Sequence, residues 1–254
     1  MTGWEQLDDE LERWHAAGSR ATFWWRDDDA VDATPQLDRL LRSAESIPIA
    51  LAVIPAKARA TLAERIAGCA MIAVLQHGWS HTSHHGDHDE FPANRPFDDV
   101  SRELAQGRST LAQLFGRQSL PIFVPPWHAF DPLFLPLLGA NELVGLSRKG
   151  PRPARSTGEG VVLANAHVSP IVWSTPAGFA NDDTYLAQIV DHLEGRRTGR
   201  YDRSEPTGLL THHLDQTAES FHFIDRFAGV VCHHPGAMWC SAEQIFGATS
   251  EVSS

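Results

Sequence analysis

Two rhythms of apolar and polar positions take turns along this chain. Trp4, Leu7, Leu11 and Trp14 recur at helical spacing, and Gly18 marks the stop. ATFWWR (21–26) reads as a strand that runs straight into Asp27-Asp28-Asp29. Thr34-Pro35 has the form of an N-cap followed by proline at the first helical position, opening a helix with Leu37, Leu40 and Leu41 inward. PIALAVI (48–54) is a continuous apolar run between prolines, the pattern of a strand buried on both faces. A helix near 57–67 and the strand AMIAVL (70–75) follow.

Residues 76–96 keep neither rhythm. They are rich in His, Asp, Gly and Pro, which predicts a loop, and a loop this long in a folded domain points to function. Val100, Leu104, Leu111 and Leu114 mark the next helix, and PIFV (121–124) a strand. Asp131-Pro132 caps another helix, and LVGLS (143–147) is another strand. The basic section 148–160 is expected to be an exposed loop, followed by the strand VVLAN (161–165). Leu186, Ile189, Val190 and Leu193 predict an amphipathic helix, and GLLTHHL (208–214) a strand. Phe221, Ile224 and Ala228 mark a last long helix ending at Gly229. This alternation predicts an α/β fold with mainly parallel strands wrapped by helices, as a barrel or an open sheet. No repeat or linker divides it, so one domain over residues 1–254 is expected.

Composition narrows the function. Hydrophobic residues at 42% and charged residues at 21% are those of a folded globule and exclude disorder as the main state. A net charge of −11 removes the electrostatic footprint of a nucleic-acid binder. Cys69, Cys232 and Cys240 are too few and scattered for a disulfide framework, and none forms a Cys-x-x-Cys pair. The opening MTGWEQLDDELERW lacks the basic start and apolar stretch of a signal peptide. No run reaches the ~18 apolar residues of a membrane span. A cytoplasmic, soluble protein is expected. The unusual feature is 14 histidines, which are clustered.

In parallel α/β folds the active site lies at the C-terminal ends of the strands. Three polar clusters fall there: Asp27-Asp28-Asp29, His77-Gly-Trp-Ser-His81 and His212-His213. Two imidazoles four residues apart share a face if the segment is helical and can reach one divalent ion. Adjacent carboxylates repel one another at a partly buried strand end unless a cation is present. One of them can bind metal while its neighbour takes a proton from water. Two imidazoles and one carboxylate suit zinc, with nickel, cobalt or iron as alternatives. One of His212 and His213 faces inward by strand alternation, where it can protonate a leaving group.

These clusters, in order and spacing, resemble the motifs of the polysaccharide deacetylase family, carbohydrate esterase family four, over roughly residues 20–215. The resemblance implies an irregular (β/α) barrel, with a C-terminal helical segment over 216–254. Setting Ala30 against the glycine of the family's Thr-Phe-Asp-Asp-Gly makes Asp28 the base and Asp29 a metal ligand; a one-residue slip would give Asp27 and Asp28. The His-Ser/Thr-x-x-His motif aligns as His77 to His81, with His81-Thr82-Ser83-His84-His85 as a competing register. Val124-Pro125-Pro126-Trp127-His128 is similar to the Arg-Pro-Pro-aromatic-Gly motif without its arginine or glycine, and Arg26 is the substitute for that arginine. Leu210-Thr211-His212 is similar to Leu-x-His, which makes His212 the general acid. The Asp-x-x-x-Trp motif has no match, and Asn165-Ala166-His167 with Trp173 is a divergent site element.

The resemblance therefore implies a metal-dependent hydrolase. Asp29, His77 and His81 hold one divalent ion, Asp28 is the base, and His212 protonates the departing amine. The substrate is an N-acetylated sugar or related amide, with Trp79 and Trp127 as stacking walls. The missing motif arginine favours the alternative, an inactive metal- or carbohydrate-binding member of the same fold.

Overall fold

The computed structural model describes residues 1–84 and 88–248, and its elements follow the alternation of the sequence. Seven parallel strands form one curled sheet: β1 (Ala21–Ala30), β2 (Ile49–Val53), β3 (Ile72–His77), β4 (Ser119–Val124), β5 (Gly145–Leu146), β6 (Val162–Leu163) and β7 (Thr207–Thr211). Their order is β6-β5-β4-β3-β2-β1-β7, and β8 (Ala237–Trp239) pairs in parallel with the start of β1. Helices α1 (Gly3–Ala16), α2 (Pro35–Ser43), α3 (Ala60–Ile66), α4 (Phe97–Phe115), α5 (Leu135–Ala140), α6 (Asp182–Thr198), α7 (Ala218–His233) and α8 (Ala242–Phe246) complete it.

Local chemistry sets the helix starts. Thr2 and Glu5 make a capping box at α1, and Thr34 Oγ1 accepts the Leu37 N–H ahead of Pro35 at α2. The sheet curls until a bridge from Val168 to Leu209 joins its two ends, with Leu210 N donating to Val168 O at 2.8 Å. This is the expected irregular (β/α) barrel. Its inside is filled by Trp24, small residues such as Ala50, Ala52 and Ala73, and larger ones such as Leu75 and Ile122, with Phe246 of α8 packed against them. Phe23, Trp25, Leu51, Val53 and Val74 point the other way, into the layer between sheet and helices.

Some boundaries differ from the sequence reading. β1 runs through the acidic triplet to Ala30, because pairing with β2 and β7 satisfies that backbone. α7 passes Gly229 and ends at His233. The last segment is not wholly helical, since Ala237–Trp239 is too short for a readable period yet forms β8. Residues 148–160 are not exposed throughout: Arg152 is buried against Asp202, Ser204 and the Leu163 carbonyl. Among the described residues, no helix is long and apolar enough to cross a membrane. Because the pairs of the main sheet are all parallel, the C-terminal ends of β1, β3, β4, β5 and β7 share one rim.

Candidate metal centre

Strand alternation sorts the acidic triplet. Trp24 faces the barrel interior and Trp25 the helix layer, so Arg26 and Asp28 point in and Asp27 points out. Asp27 is fully buried on that outer side, where Oδ2 accepts from Thr211 Oγ1 at 2.6 Å and from His213 N at 3.0 Å. Its Oδ1 meets His213 Nδ1 at 2.5 Å. Asp29 breaks the alternation. The β1–β2 register shifts between Asp27 and Ala30, and Asp29 takes φ 70°. A left-handed residue at a bulge re-aims its side chain, so Asp29 joins Asp28 at the rim.

There Asp29 Oδ1 lies 3.2 Å from His77 Nε2 and 3.2 Å from His81 Nε2. These are close contacts without hydrogen-bond alignment, because Asp29 Oδ1 is buried with no partner. The histidines meet without the helix that a four-residue spacing suggests. His77 ends β3, and the chain turns through Gly78 at φ 59° to His81 at φ 53°. A Cβ on Gly78 would sit 2.0 Å from Glu90 Oε2 and 2.6 Å from Pro126 Cγ, so only glycine fits. The wholly buried Glu90 holds the turn by accepting from Trp79 N, Ser80 N and Ser80 Oγ. Sequence reading missed Glu90, which looks like any other acid of a polar loop. The competing register ends at His85, which lies outside the described residues.

The donor set fits a divalent ion. His77 Nδ1 lies 3.0 Å from the Val124 carbonyl, which can only accept, so Nδ1 carries a proton and Nε2 is the nitrogen turned toward Asp29 and left for a metal. Burial opposes ionisation of Asp29, but the His77 ring and the His77, His81 and His212 charges outweigh it and hold the carboxyl well below the usual range. Burial likewise opposes protonation of His77, yet Asp29 and Asp28 raise its pKa. Burial, with the His77 charge, lowers that of His81 against the pull of Asp29.

Asp28 is held from below. Arg26, also fully buried, donates from Nε to Asp28 Oδ1 at 2.7 Å and from Nη2 to Oδ2 at 3.0 Å. Its Nη1 reaches Ser147 Oγ at 2.5 Å and Arg148 O at 3.3 Å. Arg26 thus binds both oxygens of the Asp28 carboxylate from the same strand. Burial would raise the Asp28 pKa; Arg26 first, then His77, His212 and His128, bring it below 3.8.

The charge of His212 acts on both Asp28 and Asp29, and its ring meets the exposed Trp173 edge-on at 4.8 Å. His213, bonded to Asp27, faces the other way. Trp127 packs 4.2 Å from the His81 ring, and Trp79 is half-buried. His128 stands beside Arg26, Asp28 and His77, and burial followed by the Arg26 charge lowers its pKa to about 3. Its ring is therefore neutral. Asp29, Gly78, His81, Trp127 and His128 all have positive φ, and such strain gathers where structure fixes a site.

A second group, His167, His192 and Glu205, also has its ligand atoms close together. Its chemistry is wrong for a cation. His167 Nδ1 accepts the Gly208 N–H at 2.9 Å, so the Nε2 proton points at Glu205, 3.5 Å away. Glu205 already accepts from Arg152 N and Asn165 N, and burial, with the charge of Arg196 on both histidines and of Arg152 on His167, lowers both pKa values and repels a further cation. This network ties the 150–165 segment to β7, and His167 takes no part in the metal centre.

No family profile matches the sequence, and no curated protein matches it. Solved structures do match. A Mycobacterium smegmatis protein assigned as a polysaccharide deacetylase aligns at TM-score 0.67 and 15% identity, over 90% of this chain and 89% of that one. A peptidoglycan N-acetylglucosamine deacetylase aligns at TM-score 0.60 and 14% identity, over 92% and 91%. A carbohydrate esterase family 4 pseudoenzyme from Bacillus anthracis aligns at TM-score 0.57 and 11% identity, over 89% and 66%. The chain has the polysaccharide deacetylase fold.

Proposed function

We propose that this chain is a metal-dependent hydrolase that removes an acyl group, an N-acetyl group in the first instance, from a sugar or related amide. The observation that carries the reading is the orphaned, buried Asp29 Oδ1 lying 3.2 Å from both His77 Nε2 and His81 Nε2 on the catalytic rim of a deacetylase fold. Asp29, His77 and His81 would hold a divalent ion, for which two imidazoles and one carboxylate suit zinc, and the ion would supply Lewis acidity to the scissile carbonyl and lower the pKa of the attacking water. Asp28, kept ionised by Arg26, accepts the proton from that water. His212, across the rim with an unpartnered Nδ1, gives a proton to the departing nitrogen. Trp173, 61% exposed beside His212, offers a flat face to the leaving group.

The missing arginine after β4 and the pseudoenzyme among the similar folds support a binding-only alternative. The bidentate Arg26–Asp28 pair weighs against it, because it holds the base in one orientation and ionised from two residues back along β1. The test is to measure bound metal, then acetate release from N-acetylated sugars with and without chelator. Asp28→Asn should keep metal and lose turnover, and Asp29→Asn should lose both. Stoichiometric metal with no hydrolysis of any acyl amide would leave the binding-only reading.

A further inference from the structure

Hydrolysis leaves one arc of the rim without a task, the exits of β4 and β5. Ser147 faces inward, since its Oγ meets Arg26. The chain beyond it stays strand-like through the Lys149–Ala166 bridge, Ala166 N to Arg148 O at 3.0 Å and Gly150 N to Ala166 O at 2.8 Å. Alternation then turns Lys149 to the same face as Ser147, about 6.6 Å further along, over the mouth. Arg26 is neutralised by Asp28 and Arg152 by Asp202, whereas Lys149 is exposed and has no carboxylate partner among the described residues.

His128, just past β4, feels the charges of both Arg26 and Lys149. It follows Trp127 in a second consecutive left-handed conformation, φ 52° then 63°, that neither residue type favours. Its Nδ1 is buried without a hydrogen-bond partner among the described residues. An imidazole nitrogen without a partner, within reach of the charge of an unpaired ammonium, offers a polar atom and a positive charge to one ligand. In a chain of net charge −11, which repels anions at a distance, a local pair of this kind selects for them.

We propose that Lys149 and His128 form an anion subsite on the rim, and that the acylated substrate carries a phosphate or carboxylate that docks there. The nature of the rest of the substrate rests on the hydrolase reading; the subsite itself can be tested without turnover. The probes are N-acetylglucosamine, its 6-phosphate and N-acetylmuramic acid, titrated calorimetrically into metal-loaded protein. One anionic sugar should bind at least 10-fold more tightly than the neutral one, which also separates phosphate from carboxylate. Lys149→Ala should bring that ratio to within about threefold of unity, Lys149→Glu should invert it, and Lys149→Arg should restore it. His128→Gly, which suits the backbone, should lower the ratio about fivefold. A ratio near one in the wild type, or one unchanged by Lys149→Ala because the metal alone holds the anion, overturns the subsite. Lys149-dependent binding with no hydrolysis of any amide sinks the hydrolase reading and keeps the subsite. Hydrolysis of neutral and anionic sugars alike does the reverse.

Discussion

Arg26→Met isolates the pair beneath the proposed base. The guanidinium makes four hydrogen bonds, two to Asp28 and one each to Ser147 Oγ and Arg148 O, and is fully buried. Methionine fills part of the space and replaces none of them, so the Asp28 carboxylate is left buried without its cation. Removing one partner of a buried pair costs about 3–5 kcal/mol. In a chain of this size each kcal/mol moves the melting midpoint by about 2–4 °C, giving a fall of about 10 °C. Urea and thermal unfolding should be followed on metal-free protein, so that ligand binding adds nothing to the native state. Arg26→Met/Asp28→Leu removes the orphaned charge too and should recover at least about 2 kcal/mol of the loss. The pH dependence has a fixed sign. The Asp28 pKa is depressed below 3.8, so its contribution is full above that value and is lost as pH falls through the folded pKa. The gap between wild type and Arg26→Met should therefore narrow between pH 7 and pH 3. A single variant within about 1 kcal/mol of wild type at pH 7, or a double variant no more stable than it, would refute this account.

His77→Ala and His81→Ala should each lower metal affinity more than about 10-fold, read by competition with a chromophoric chelator. Because Asp29 and Asp28 raise the His77 pKa above its ordinary value, metal competes with a proton there; affinity should fall as pH is lowered, with proton release visible in buffers of different ionisation enthalpy. His212→Ala should keep its melting midpoint and lose turnover. His213→Ala takes the imidazole from the buried Asp27, leaving only the Thr211 hydroxyl and a backbone N–H, and should cost about 3 kcal/mol while retaining metal. Glu205→Gln should destabilise the fold yet leave metal content at one equivalent by elemental analysis; two equivalents in the wild type would show that the His167–His192 group binds a cation after all.

The sequence by itself determined the fold class and most of the chemistry. Apolar runs such as 48–54 and helical spacing such as Leu186 to Leu193 report which faces are buried, and burial is what a periodic pattern records. Short elements carried too few residues for a period, which is why β8 and α8 were not legible. His77, His81, His212 and the acidic triplet were visible because polar clusters at strand ends stand out against apolar surroundings. Their sorting was not. The triplet offers three chemically identical side chains, and only alternation against Trp24 and Trp25, broken by the bulge at Asp29, decides that Asp27 faces His213 while Asp28 and Asp29 face the rim. Two groups of two histidines and one acid are likewise indistinguishable by composition. Tertiary structure separates them, because protons and buried charges contributed by distant residues, Gly208, Arg152 and Arg196 at one group and Val124 at the other, determine whether a lone pair or a hydrogen points inward.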